Sequence, residues 1–138
     1  MKLYSSITLI LLIWLISIVF ISYFGFLTLP HSGNFKGDFF ISFSNWDGGH
    51  YLTIAEFGYS EKYQYAFFPL YPLAINVLNR IVDNYLLAAI LISWTAFFFG
   101  MQLLYKLVAF EFDKKIAEKA ILSIIFFPTS FYFLIAYS

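Results

Sequence analysis

Residues 7–29 read ITLILLIWLISIVFISYFGFLTL, an apolar run broken only by small hydroxylated residues and one glycine. Its length of about 23 residues is enough to cross a hydrocarbon core of about 30 Å with some tilt. A cleaved leader is the alternative, but its apolar region would cover only about 7–15 residues and end at a small-residue cleavage site. Neither feature is present, so the run reads as a retained first membrane helix, closed by Pro30 and Gly33. The rest of the chain agrees. Of 138 residues, 62% are hydrophobic, 24% aromatic and only 12% charged; ordinary soluble domains carry about 25% charged residues. Mean hydropathy is +0.80. The fold class expected is therefore an all-α, multi-pass integral membrane protein. The formal net charge of zero gives no general attraction to nucleic acid. With no cysteine there are no disulfides and no thiolate metal sites.

Outward from the first helix, hydropathy predicts three further spans, over residues 66–82, 85–108 and 120–138, making about four in all. In the second, Pro69 and Pro72 fall in the first turns, where a missing amide proton does least harm. They either set the helix entry or shape the outer mouth near Asp47. In the third, Ser93 and Gly100 permit close helix packing. The fourth is interrupted by Pro128, and the hydroxyls of Thr129 and Ser130 are placed to satisfy the carbonyls that the proline frees. Residues 111–119, with Asp113, Lys114, Lys115, Glu118 and Lys119, read as a charged connector.

The polar interval at residues 30–65 is short of basic residues, which suits the non-cytoplasmic side, and Lys2 inside would put it there. If all four segments cross, the lysine-rich connector shares that side, against the usual distribution of lysines; either residues 66–82 do not cross fully or, the preferred reading, its mixed charge weakens the rule. Residues 39–43 are too short to span and suit an interfacial position.

Within the interval, residues 45–59 read NWDGGHYLTIAEFGY. Asp47 is a good helix N-cap and Gly58 a good terminator, so a short helix is expected between them. Its apolar residues Tyr51, Leu52, Ile54, Ala55 and Phe57 would let it lie along a membrane surface or against neighbouring helices. Gly48 and Gly49 keep the space beside Asp47 free of side chains. From spacing alone, Asp47 is either a cap or a catalytic carboxylate. No metal is expected, because His31 and His50 have no convergent carboxylates at ligand spacing.

The run Trp46-Asp47-Gly48-Gly49-His50-Tyr51, with Ile54-Ala55-Glu56 and Gly58-Tyr59, resembles the PIG-V family of mannosyltransferases. Ala66-Phe67-Phe68-Pro69-Leu70-Tyr71-Pro72-Leu73 resembles a second block, and Phe127-Pro128-Thr129-Ser130-Phe131 with Ala136-Tyr137-Ser138 a third, in family order. The resemblance implies an enzyme, a membrane glycosyltransferase of the glycosyltransferase-C class with no cofactor. Its donor would be a sugar on a polyprenyl or dolichyl phosphate, and its acceptor a glycolipid such as a glycosylphosphatidylinositol precursor, or a cell-envelope molecule. The membrane would be the endoplasmic reticulum in a eukaryote and the plasma membrane in a prokaryote. Asp47 matches the catalytic carboxylate of the family motif. Trp46, His50, Glu56 and Tyr59 are the candidate substrate-binding residues, set against plainer roles as interfacial anchors or structural polar groups. Members of that class carry more spans than 138 residues supply, so this portion reads as an N-terminal membrane part of a longer protein, with a small membrane subunit as a conceivable partner. The rival reading is a non-enzymatic multi-pass scaffold or assembly subunit in which residues 45–59 form only an interfacial helix.

Overall fold

A computed structural model describes residues 2–29, 39–44 and 47–136, and for residues 2–6 and 42 the backbone alone. Pro30, His31, Gly33, Trp46, Tyr137 and Ser138, all named above, lie outside the described residues. Among those described the secondary structure is entirely helical: α1 (Lys2–Thr28), α2 (Gly48–Phe57), α3 (Leu70–Val82), α4 (Tyr85–Glu111) and α5 (Lys114–Ile125), with 3-10 turns at Phe40–Ser44, Lys62–Ala66 and Ser130–Leu134.

Two of the four expected spans form helices long and apolar enough to cross a membrane, within α1 and α4. Each has 27 residues, or roughly 40 Å of helix. Leu9, Ile13, Ile16, Phe20 and Phe24 of α1 and Leu103, Leu107 and Phe110 of α4 are exposed. Apolar residues on every side of a helix suit hydrocarbon, where backbone groups are satisfied within the helix. The hydroxyls of Ser17 and Thr28 follow the same logic, donating to the carbonyls of Ile13 and Phe24 one turn back.

The other two expected spans are not continuous helices. Residues 66–82 open with the end of a 3-10 turn and with extended Phe67, and the helix begins only at Leu70. Pro69 restricts Phe68 before it, so the α conformation cannot start earlier. The 13 residues of α3 give only about 20 Å. Residues 120–138 break where Pro128 stands: α5 ends at Ile125 and a 3-10 turn follows. Ser130 donates its hydroxyl proton to the carbonyl of Ile125 at 2.8 Å, as the proline break demands; Thr129 is exposed. The expected connector at 111–119 is also revised. Glu111 is the last residue of α4, Asp113 accepts from the amide of Ile116 at 2.7 Å as an N-cap, and the lysines ride on the first turns of α5. This helix buries Ala117, Ile121 and Ile125 along one stripe.

The chain forms two compact units. One comprises Met1–Ser32 and Ala96–Tyr132. Its core holds Ile7, Leu11, Trp14, Tyr105 and the buried stripe of α5; Trp14 packs on Phe97 with ring centroids 5.2 Å apart, and Gln102 donates to Thr8 at 3.0 Å. Gly100, expected at a packing contact, faces open space instead.

The other unit comprises Gly33–Thr95 and Phe133–Ser138 and holds the polar stretch. Its core is Ile54, Ala55, Ile75, Ala88, Ala89 and Ile90. Tyr71 ties α3 to the start of α4, bonding the carbonyl of Ala89 at 3.1 Å and the hydroxyl of Ser93 at 2.9 Å. Ser93 thus serves the packing expected of it by hydrogen bonding as well as by size. Asp83, in the left-handed conformation, ends α3, and Asn84 caps α4 by accepting from the amide of Leu87. The 134–136 segment is fixed in this unit at two points. The indole of Trp94 donates to the carbonyl of Leu134, and the amide of Ala136 donates to the carbonyl of Phe43, both at 2.8 Å.

Candidate functional site

Helix α2 begins after Asp47 and ends before Gly58, the bounds that the local sequence signals require. The carbonyl of Asp47 accepts from the amides of His50 and Tyr51, so this residue does start the helix. Its side chain, however, makes no capping bond. An N-cap whose side chain reaches the first-turn amides normally has extended φ and ψ; Asp47 has φ −69° and ψ −16°, already helical. The carboxylate is left exposed. A Cβ added at Gly49 would meet nothing within 4 Å, whereas Gly48, directly after Asp47, is buried, so of the two glycines only Gly49 leaves open space. At the other end the amide of Gly58 bonds the carbonyl of Ile54, with φ +78°. Glycine alone holds such a conformation cheaply.

The first turns of α2 carry His50 and Tyr51 into an aromatic row. The ring of His50 meets Phe67 at 5.1 Å and Tyr63 edge-on at 5.4 Å; Tyr51 meets Phe67 and Tyr71 edge-on, each at 5.1 Å. His50 therefore packs among rings and forms no hydrogen bond with Asp47 among the described residues. The loop that supplies Tyr63 and Phe67 is held by Gln64, which is 1% exposed. Its Oε1 accepts from the amides of Ser60 at 2.7 Å and Glu61 at 3.0 Å and from the Ser60 hydroxyl at 3.3 Å. The spacing Glu61-x-x-Gln64, a Gln reaching back to the amide of a helix cap, was the available signal for this role.

Glu56 and Tyr59 lie elsewhere. Glu56 is nine residue steps beyond Asp47, roughly 14 Å along the helix axis and half a turn around it. Glu56 and Tyr59 instead share a cleft of about 300 Å³ with Ile54, Pro72, Leu73 and Asn76. Pro69 and Pro72 set the entry to α3 and line this cleft, which holds Glu56 and not Asp47, so among the described residues they shape no mouth at the catalytic candidate. Tyr59 stacks on Tyr65 at 5.2 Å and donates its phenolic proton to the carbonyl of Phe67 at 2.8 Å. Asn76 donates from Nδ2 to the carbonyl of Ala55 at 2.8 Å, joining α3 to α2. Asn76 escaped sequence reading because nothing local links it to Glu56, twenty residues earlier. Among the described residues no group of three His, Asp or Glu side chains is arranged to hold a metal ion.

A family model described as Mannosyltransferase (PIG-V) matches residues 7–138. The chain belongs to this family. No curated protein and no solved structure matched the chain. Membership in the PIG-V mannosyltransferases, with two helices of spanning length and composition, supports a membrane glycosyltransferase.

Proposed function

We propose that this PIG-V family member transfers a mannosyl group from a polyprenyl- or dolichyl-phosphate donor to a hydroxyl of a glycolipid or cell-envelope acceptor, with Asp47 as the general base. In this reaction the acceptor oxygen attacks the anomeric carbon, the bond from that carbon to the phosphate oxygen breaks, and the lipid phosphate leaves. The hydroxyl proton passes to a carboxylate oxygen of Asp47 as the new glycosidic bond forms, with inversion at the anomeric carbon. The observation that carries the reading is the uncommitted carboxylate of Asp47. It stands at a helix start but makes no capping bond, it is exposed, and Gly49, two residues on, faces open space. The family match supports mannose as the sugar and a lipid-linked donor. In this reading the loop at 30–65 faces the lumen or cell exterior, α2 lies at the membrane boundary, and His50 and Trp46 contact the donor.

The test is transfer by membranes expressing the full-length gene, comparing Asp47→Asn with the parent at matched protein level. Loss of a general base lowers the rate by roughly 10²–10⁴. Transfer at the parental rate by Asp47→Asn would sink the mechanism and favour a plain interfacial helix.

A further inference from the structure

The cleft between α2 and α3 has a one-sided chemistry. Its walls at Ile54, Pro72 and Leu73 are apolar. Its polar groups are a carboxylate at Glu56, a phenolic oxygen at Tyr59 whose proton is already given to Phe67, and an amide at Asn76 that gives one of its two Nδ2 protons to Ala55. What remains is chiefly acceptor, and no cation lines the cleft. Glu56 also sits in the last turn of α2, at the negative end of the helix dipole, with no basic residue in that turn. A carboxylate there is unfavourably placed unless hydrogen-bond donors come to it. Among the described residues it has no ion-pair or hydrogen-bond partner.

We infer that this cleft is a subsite for the part of the acceptor remote from the reacting hydroxyl, binding a non-anionic, donor-rich sugar head over an apolar body and excluding phosphate. The hydroxyls of a neutral sugar and the ammonium of an amino sugar share this chemistry. A volume of about 300 Å³ lies at the small end for ligand pockets. The separation of roughly 14 Å from Asp47 along α2 leaves the reacting group at the other end of the helix. The assignment to the acceptor rests on the transferase reading; the selectivity of the cleft does not.

The test is direct binding of three probes to the full-length protein in nanodiscs of neutral lipid: hexyl mannoside, hexyl glucosaminide and hexyl phosphate. Both glycosides bind, and the phosphate binds at least about tenfold more weakly. A margin for the glucosaminide that disappears in Glu56→Gln identifies the ammonium as the preferred donor, and equal binding identifies hydroxyls. Leu73→Trp fills the cleft from an exposed position, so it abolishes glycoside binding while helicity by circular dichroism is unchanged. Glu56→Gln, which leaves the cleft open, weakens it about tenfold through loss of a charged acceptor. Phosphate binding equal to that of the glycosides, or glycoside binding unaltered in both variants, overturns the assignment. Because binding needs no turnover, Asp47→Asn separates the two claims. If it transfers at the parental rate while Leu73→Trp loses the glycosides, the general base is wrong and the cleft stands.

Discussion

Replacing Gln64 with Ala removes the side chain that orders the whole approach to α3. In the parent its Oε1 takes two backbone protons, from Ser60 and Glu61, inside a residue that is 1% exposed. Each buried amide left without an acceptor costs about 1–3 kcal/mol. Ser60 and Glu61 are themselves exposed residues, so water reaches their amides as the turn loosens and the lower end applies, about 2 kcal/mol for the pair. That is a factor of roughly 30 in the opening equilibrium. The loss is local, because the hydrogen bonds of the Gln64 side chain among the described residues all go to Ser60 and Glu61, while the core holds Ile54, Ile75 and Ala89 elsewhere. Amide hydrogen exchange followed by mass spectrometry on peptides covering residues 58–68 reads it directly. Exchange there rises roughly 30-fold in Gln64→Ala, while peptides from α1 keep parental protection. Since the same loop carries Tyr59 to the cleft and Tyr63 and Phe67 to His50, acceptor KM rises with it. Exchange within threefold of the parent would refute the idea that Gln64 holds this turn.

Two further substitutions probe the ends of the same unit. Gly58→Ala forces a side chain into φ +78° with ψ −172°, which costs of the order of 1–3 kcal/mol; thermal unfolding in detergent should fall by several degrees, although open space surrounds the position. Trp94→Phe keeps an aromatic ring but leaves the buried carbonyl of Leu134 without its donor, costing about 1–3 kcal/mol. It appears as faster exchange at the amide of Ala136, and unchanged exchange there would remove the clamp from the account.

How much of this was legible in the sequence follows the range of the forces involved. Caps are local, so Asp47 and Gly58 announced both ends of α2. Apolar runs without prolines, as in α1 and α4, announced helices of spanning length. The spans expected at residues 66–82 and 120–138 failed because Pro69 and Pro128, read as tolerable within a membrane helix, instead set a late start for α3 and a break after α5. Reading residues 111–119 by charge concealed that Lys114–Lys119 are the polar side of a helix with Ala117 and Ile121 beneath. At the site, the sequence offered Trp46, His50, Glu56 and Tyr59 as substrate contacts, with Glu56 already far along the helix from Asp47. Helix geometry sends His50 to an aromatic row, and Glu56 and Tyr59 to a cleft completed by Asn76, a partner that only tertiary packing reveals.

The bond from the amide of Ala136 to the carbonyl of Phe43 sets a timetable for biosynthesis. A ribosome adding roughly 5–20 residues per second needs about 5–19 s to travel from residue 43 to residue 136. Throughout that interval the segment just ahead of Asp47 has been made but lacks its last backbone partner. Loop closure over so long a stretch is among the late events of folding. The carboxylate proposed to do the chemistry is thus translated early and set in its finished surroundings late, once everything up to Ala136 has left the ribosome.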